Sequence, residues 1–348
     1  MKQLICVLFL SFVCSIRGDG VDEFIKSEME KHQIPGSALT IIREGKQTKT
    51  AAYGFANLEL QSPAKPESVF EIGSVTKQFT AAGILLLQQQ GKLSVDDRIS
   101  KFFQNLPPAW TNITVRHLLT HTSGIKSYTG LDGFELTKHL SQKQFISALA
   151  PLPLEFAPGE KWKYCNTGYN LLGHIIENVS GKNYWQFMGE NIFTPLRMFA
   201  TTNREPGILV PNRADGYETK NGQHINRDYD LTDVFSAGAI VSTVNDLAKW
   251  NAALDTDILL NAESKSQMWS SGKLNNGREH GYGFGWHLTP HQGRKNIGHS
   301  GSTSGFSASL QRFPENRFCV IVLCNSGEDG VATVLAKALA VLSWKSNE

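Results

Sequence analysis

The stretch from Phe70 to Leu87 constrains this chain more than any other. Phe70-Glu71-Ile72-Gly73 gives way to Ser74-Val75-Thr76-Lys77 and then to a long apolar run, Gln78 to Leu87, which reads as a helix stopped by Gly91. A serine and a lysine three apart lie on one helix face, about one turn from each other. At the first turn both feel the positive end of the helix dipole, which disfavours a protonated Lys77 and favours an anion on the Ser74 oxygen. Burial pushes Lys77 the same way, towards a neutral amine able to accept a proton.

The pattern alone decides little, because Ser-x-x-Lys occurs four times, at Ser62, Ser74, Ser123 and Ser270. Ser62 has Pro63 beside it and Pro66 just beyond its lysine, which rules out a helix through that pair. Ser123 is followed by Gly124, and Ser270 lies in a polar stretch running to Gly277. Only Ser74 opens a helix that can be buried.

The first residues read as a secretory signal peptide, with Lys2, an apolar centre from Leu4 to Val13 and small residues after it. Cleavage after Ser15 or after Gly18 suits that pattern, and the run is short for a membrane span. Export to the periplasm or outside the cell, with no stable membrane anchor afterwards, is the expectation. The rest has an ordinary globular composition, 41% hydrophobic and 19% charged in the whole chain. A net charge of +2 without a basic run gives no push towards nucleic acid. Beyond the signal segment only Cys165, Cys319 and Cys324 remain, too few and too scattered for a disulfide framework. Cys319 and Cys324, five apart in one strand, should face opposite ways.

The expected fold is α+β, an α/β sandwich. Val21, Phe24, Ile25 and Met29 have helical spacing, and a strand at Ala38 to Arg43 turns back through Lys49 to Gly54. Strands resume late, at Tyr282–Leu288, Lys295–His299, Phe306–Phe313 and Phe318–Cys324, before an apolar helix from Gly330 to Trp344. The N- and C-terminal strands would form an antiparallel sheet, flanked by the terminal helices and backed by the Ser74 helix. That sandwich lobe would take residues 19–95 and 235–348. The segment between, 96–234, reads as a mostly helical lobe inserted mid-chain, and the cleft between lobes as the ligand site.

Two further segments carry chemistry. Tyr164-Cys165-Asn166 is the only Tyr-x-Asn in a chain with eight tyrosines, and it precedes a helix beginning near Gly168. A turn asparagine and a half-buried tyrosine would be the plain structural alternative. His299-Ser300-Gly301-Ser302 ends a strand, and its small residues would let the strand edge approach a ligand closely.

Together these segments resemble the serine β-lactamase and penicillin-binding protein family, in its class C and D-alanyl-D-alanine carboxypeptidase branch with the related esterases. Leu118 to Ile125, with His121-Thr122-Ser123-Gly124 at its centre, is similar to the family's structural loop. Ser236-Ala237-Gly238 through Leu247 and Tyr282 to Trp286 continue the match in order, so that it spans the chain beyond the signal segment. The resemblance implies Ser74 as the acylated nucleophile, with Lys77 and Tyr164 taking its proton and the Tyr164 pKa lowered by nearby cations. It implies Asn166 on the substrate amide, His299 and Gly301 at the substrate edge, and the N–H groups of Ser74 and Ser302 as an oxyanion hole. His299 stands where class C enzymes carry lysine, and a neutral imidazole offers less to a substrate carboxylate than an ammonium does. Cys165, in the place of the usual serine, is nearly isosteric but a poorer donor.

The expected activity is acyl transfer from D-amino-acid peptides, amides or small esters, without cofactor or metal. A weak β-lactamase is the runner-up, and a folded member that binds without turnover, as sensor or extracellular structural protein, is the rival of another class. Gly-x-Ser-x-Gly is absent, which counts against an α/β-hydrolase. His117 and His121 are i, i+4 but lack a carboxylate partner for zinc. Nothing in the sequence specifies an oligomeric state.

Overall fold

In a computed structural model the described residues are 19–131, 140–205, 207–227 and 230–345. The signal segment 1–18 lies outside them, as do 132–139, 206, 228–229 and 346–348. Helix α1 (Asp19–Lys31) leads into β1 (Gly36–Arg43), β2 (Lys46–Asn57) and two short strands, β3 (Ser62–Pro63) and β4 (Phe70–Glu71). A single 3-10 turn, Gly73–Val75, opens α2 (Thr76–Gln89). Mid-chain come α3 (Val115–Leu119), α4 (Gln142–Leu149), α5 (Asn166–Ser180), α6 (Tyr184–Met188), β5 (Thr202–Asn203), β6 (Tyr217–Lys220) and β7 (Gln223–Asn226). Then follow α7 (Phe235–Gly238), β8 (Ile240–Ser242), α8 (Val244–Leu254), α9 (Ala262–Met268), β9 (Ile297–Thr303), β10 (Phe306–Phe313), β11 (Phe318–Cys324) and α10 (Val331–Lys345).

The main sheet is antiparallel in the order β3-β2-β1-β11-β10-β9, so strands from opposite ends of the sequence pair at its centre. Leu39 faces Val322 and Ile41 faces Val320 in that register. Both strands are almost continuously apolar because both faces of the sheet are covered. Phe318, Val320, Val322 and Cys324 join Ile25, Leu335 and Leu339 under α1 and α10, while Cys319, Ile321 and Leu323 join the larger core on the other face. The two cysteines therefore face opposite ways, as the period-2 alternation requires.

On that second face α8 packs on β1 and β11, and the Gly73–Val75 turn packs on β9 and β10. α2 continues from the turn into the helical layer, where it meets α5 and α7. All residues from Thr76 to Leu87 are buried, which is why the helix is apolar on every side and not striped. Phe79 stacks on Trp250 of α8 with ring centroids 4.4 Å apart, tying the two layers together.

Two local differences from expectation have simple causes. Tyr282 to Leu288 is not a strand. It folds back in a tight turn, with Tyr282 bridging His287 and with Gly285 at φ +78°. Gly285 lies so close to α2 that a Cβ there would sit 2.6 Å from the Lys77 carbonyl oxygen. The mid-chain segment also holds the hairpin β6–β7. Asn221 and Gly222 both take positive φ at its tip, as a type I′ turn requires.

Candidate active site

Ser74 sits in the 3-10 turn and is partly exposed, whereas Lys77, in the first turn of α2, is completely buried. Lys77 Nζ lies 3.0 Å from Ser74 Oγ, 2.8 Å from Asn166 Oδ1 and 2.7 Å from the Ala237 carbonyl oxygen. Three contacts satisfy an ammonium, but they equally satisfy a neutral amine that donates to Asn166 and Ala237 and accepts from the Ser74 hydroxyl. Burial favours the neutral amine by pushing the Lys77 pKa well down, and among the described residues no carboxylate bonds it. Ala237 is held for this contact from behind: its N–H donates to Asn170 Oδ1 at 3.2 Å, and Asn170 Nδ2 donates to the Asp233 carbonyl.

Tyr164 and Asn166 flank the start of α5. The Asn166 amide is engaged at both ends, accepting from Lys77 and donating to Thr129 Oγ1 at 3.1 Å, and its backbone N–H donates to Ser127 Oγ. Cys165 points the other way, into the core, where its thiol donates to the Ile125 carbonyl at 3.2 Å and burial pushes its pKa up to about 11. The Tyr164 ring is partly exposed, but its hydroxyl is buried without a hydrogen-bond partner. Here the expectation of a lowered Tyr164 pKa fails. Burial raises it, and the nearby Ser74 hydroxyl offsets only part of that rise. Lys77 Nζ stands over the ring face, 4.8 Å from its centroid, so the amine does not bond the phenol oxygen.

The third segment runs along the outer edge of β9. Gly298 exchanges backbone hydrogen bonds of 2.8 and 3.0 Å with His287, on the side away from β10. By alternation the N–H groups of Ser300 and Ser302 point outwards too. A Cβ on Gly301 would sit 2.0 Å from the Ile72 carbonyl and 2.9 Å from the Ser74 nitrogen, and one on Gly73 would sit 2.8 Å from the Ser302 nitrogen. The turn bearing Ser74 and the edge of β9 are therefore in close contact, with both backbone nitrogens at the seam. His299 is buried and occupied on both sides: Nδ1 is 2.5 Å from the Ser300 carbonyl, and Nε2 is 2.9 Å from the Tyr282 hydroxyl. Since the carbonyl only accepts, Nδ1 carries the proton and Tyr282 donates to Nε2. Burial, above all, pushes the His299 pKa well below its ordinary value and so favours the neutral ring. Ser302 Oγ donates to Asp329 at 2.6 Å.

Tyr282, Ala237, Thr129, Ser127 and Asp329 thus belong to the site, although reading the sequence did not single them out as site residues. Tyr282 fell in a stretch that reads as a strand, and the others act through single hydrogen bonds that no local pattern announces. His117 and His121 spend their Nδ1 atoms accepting backbone N–H groups, from Thr114 and Cys165. Among the described residues no group of three or more His, Cys, Asp or Glu side chains is placed to hold a metal.

Comparison with known proteins follows the same lines. A family model described as Beta-lactamase matches residues 21–342. Penicillin-binding protein 4* of Bacillus subtilis (strain 168) is 34% identical over 322 residues, 86% of this chain and 70% of that protein. Protein flp of Staphylococcus aureus (strain MW2) is 29% identical over 322 residues, 89% of this chain and 64% of that protein. Among solved structures, the octameric penicillin-binding protein homologue from Pyrococcus abyssi superposes with a TM-score of 0.81 at 31% identity, over 93% of this chain and 77% of its own. The D-amino acid amidase from Ochrobactrum anthropi SV3 has the same fold, with a TM-score of 0.81 at 24% identity over 94% of this chain and all of its own.

Proposed function

This chain belongs to the β-lactamase and penicillin-binding protein family of serine hydrolases, and we propose that it forms an acyl-enzyme on Ser74 from D-amino-acid peptides, amides or small esters. The observation that carries this reading is the fully buried Lys77 amine, 3.0 Å from a partly exposed serine hydroxyl. In the proposed reaction Lys77 Nζ takes the Ser74 proton as Oγ attacks the acyl carbonyl. The developing oxyanion lies at the seam between the Ser74 and Ser302 N–H groups. Tyr164, protonated at neutral pH because burial raises its pKa, gives its proton to the leaving amine or alcohol and regains one from the Lys77 ammonium. Water then attacks the ester, again losing its proton to this pair, and Ser74 leaves as a hydroxyl.

Two features separate this reading from an efficient β-lactamase. His299 is neutral and fully engaged, so no permanent cation stands there for a substrate carboxylate. Asp329 places negative charge beside Ser302 instead. The non-catalytic alternative has no such support, because a purely binding protein has no need to bury an amine that no carboxylate bonds against a serine.

Export is part of the proposal and rests on residues 1–18. No helix among the described residues is long and apolar enough to cross a membrane. N-terminal sequencing of the secreted protein locates the cleavage point.

Intact mass of residues 19–348 after incubation with benzylpenicillin, beside Ser74→Ala, tests the nucleophile. One penicillin adduct, absent from the variant, supports it, and persistence of the adduct favours a carboxypeptidase-like protein over a β-lactamase. Small-ester hydrolysis undiminished in Ser74→Ala sinks the assignment.

A further inference from the structure

The loop after α3 contains a buried histidine that the mechanism above does not use. His121 lies between α3 and the Ile125 backbone, is 1% exposed and takes a left-handed conformation with φ +59°. That region is uncommon for residues other than glycine, although histidine is among those that tolerate it. Its backbone is zipped to the approaching chain: the Lys163 N–H donates to the His121 carbonyl at 3.0 Å, and the Gly159 N–H donates to the Thr122 carbonyl at 2.8 Å.

The side chain makes two contacts of different kinds with the Tyr164–Asn166 turn. Nδ1 lies 3.1 Å from the Cys165 backbone nitrogen, and the imidazole stacks on the Tyr164 ring with centroids 4.3 Å apart at 38°. An N–H group can only donate, so Nδ1 is the acceptor and bears no proton. Tyr169 and Tyr282 pack on the same imidazole at 5.1 and 4.6 Å, with Trp162 edge-on at 6.3 Å. Cys165 is the residue between Tyr164 and Asn166, so one imidazole controls both side chains that converge on Ser74 and Lys77.

We propose that His121 is a positioning residue for this active site: its bare Nδ1 anchors the Cys165 N–H while its ring supports Tyr164, and the pair of contacts sets where the phenol and the Asn166 amide meet Ser74 and Lys77. No other side chain of this size does both. Phenylalanine offers the ring without an acceptor, and asparagine offers an acceptor without the ring. A protonated histidine turns a donor towards a donor and loses the anchor. The titratable groups facing His121 are Lys77 from α2, Tyr164 and Tyr169 around the start of α5, Tyr282, His280 and His287 from the segment before β9, and His299 within it. Burial, together with Lys77 and the three histidines, holds its pKa well below the ordinary value. Nε2 is buried without a partner, so nothing on the far side of the ring stabilises an imidazolium.

The inference rests on Ser74 being the nucleophile, and its test separates the two. The rate at which a fluorophosphonate probe labels Ser74, followed by intact mass, is compared for the native chain, His121→Phe and His121→Asn, with Ser74→Ala as the blank. Absence of label on native Ser74 counts against the nucleophile and leaves His121 to be judged by the spectroscopic readout below. With labelling in hand, we expect His121→Phe to slow it by about tenfold or more through misplacement of the turn. His121→Asn, which keeps the acceptor and tolerates positive φ, should regain part of that loss. Native-rate labelling of His121→Phe, or equal impairment of both variants, overturns the proposal in favour of a space-filling role. A second readout needs no variant to fold. Imidazole 15N–1H correlation spectra of the native protein should show His121 with Nδ1 bare and Nε2 protonated at neutral pH, and an Nδ1–H tautomer overturns the proposal directly.

Discussion

Lys77 Nζ approaches Ser74 Oγ to 3.0 Å from one helical turn away, with the Ala237 carbonyl and Asn166 closing over the amine. The helix supplies the spacing, and α5 and α7 supply the burial. Neither alone makes a base, since an exposed lysine at the same spacing stays protonated at neutral pH.

That arrangement fixes a pH dependence. Burial lowers the Lys77 pKa, so the neutral, proton-accepting form is present above the folded-state value and is lost as pH falls through it. Acylation of Ser74 by benzylpenicillin or an ester should therefore reach its plateau well below the ordinary lysine range and decline on the acid side of it. A rate that climbs steadily to the ordinary lysine range near about 10.4 would mean that Lys77 titrates normally and is not the base.

Tyr164 offers a separation of activity from stability. Its hydroxyl is buried with no well-aligned partner, only the Ser74 hydroxyl nearby, and such a group costs free energy in the folded state. Tyr164→Phe keeps the ring stacked on His121 and removes only that oxygen. Activity should fall on the order of a hundredfold, while the melting temperature stays level or rises. A substantial drop in melting temperature would show that the hydroxyl has a bonded partner after all.

Gly301 tests the seam between β9 and the Ser74 turn. An added methyl would overlap the Ile72 carbonyl, which lies 2.0 Å from the ideal Cβ position, and backbone atoms cannot swing aside as a side chain can. Gly301→Ala should cost about 1–3 kcal/mol of stability, read by urea denaturation. It should also slow Ser74 acylation about a hundredfold or more by parting the two N–H groups. A variant with native stability and rate would remove the seam from the mechanism.

How far the sequence reveals all this depends on the range of the forces involved. α1, α2, β1, β10, β11 and α10 are legible because burial leaves a local mark on each of them, a helical period in α1 and unbroken apolar runs in α2, β1 and β11. The hairpin at Asn221-Gly222 carries a local signal as well, but the polar strands around it have no apolar alternation to support it. Tyr282 to Leu288 alternates aromatic residues with glycine and reads as a strand; its actual turn is dictated by the Lys77 carbonyl pressed against Gly285, a contact between distant segments. The same holds at the site. Ser74 and Lys77 share one helix, so their meeting is legible. Ala237 on the amine, Tyr282 on His299 and the raised Tyr164 pKa are consequences of packing, which a local pattern does not encode.

Asp329 makes the last prediction, about charge. Ser302 and Asp329 are both exposed, and their hydrogen bond sets a carboxylate beside the β9 edge. With His299 neutral and fully bonded, this edge attracts an ammonium on the substrate and repels a carboxylate. A D-alanine p-nitroanilide with a free amino group should bind better than its N-acetyl derivative. Asp329→Asn, which still accepts from Ser302, should raise KM for the free amine by about two- to fivefold, the range for an exposed ion pair, and leave the N-acetyl compound and kcat unchanged. Adding salt should erode the preference of the native chain in the same direction. Equal effects on both compounds would mean that Asp329 only holds Ser302 in place, and the charge preference would then have to arise elsewhere in the cleft.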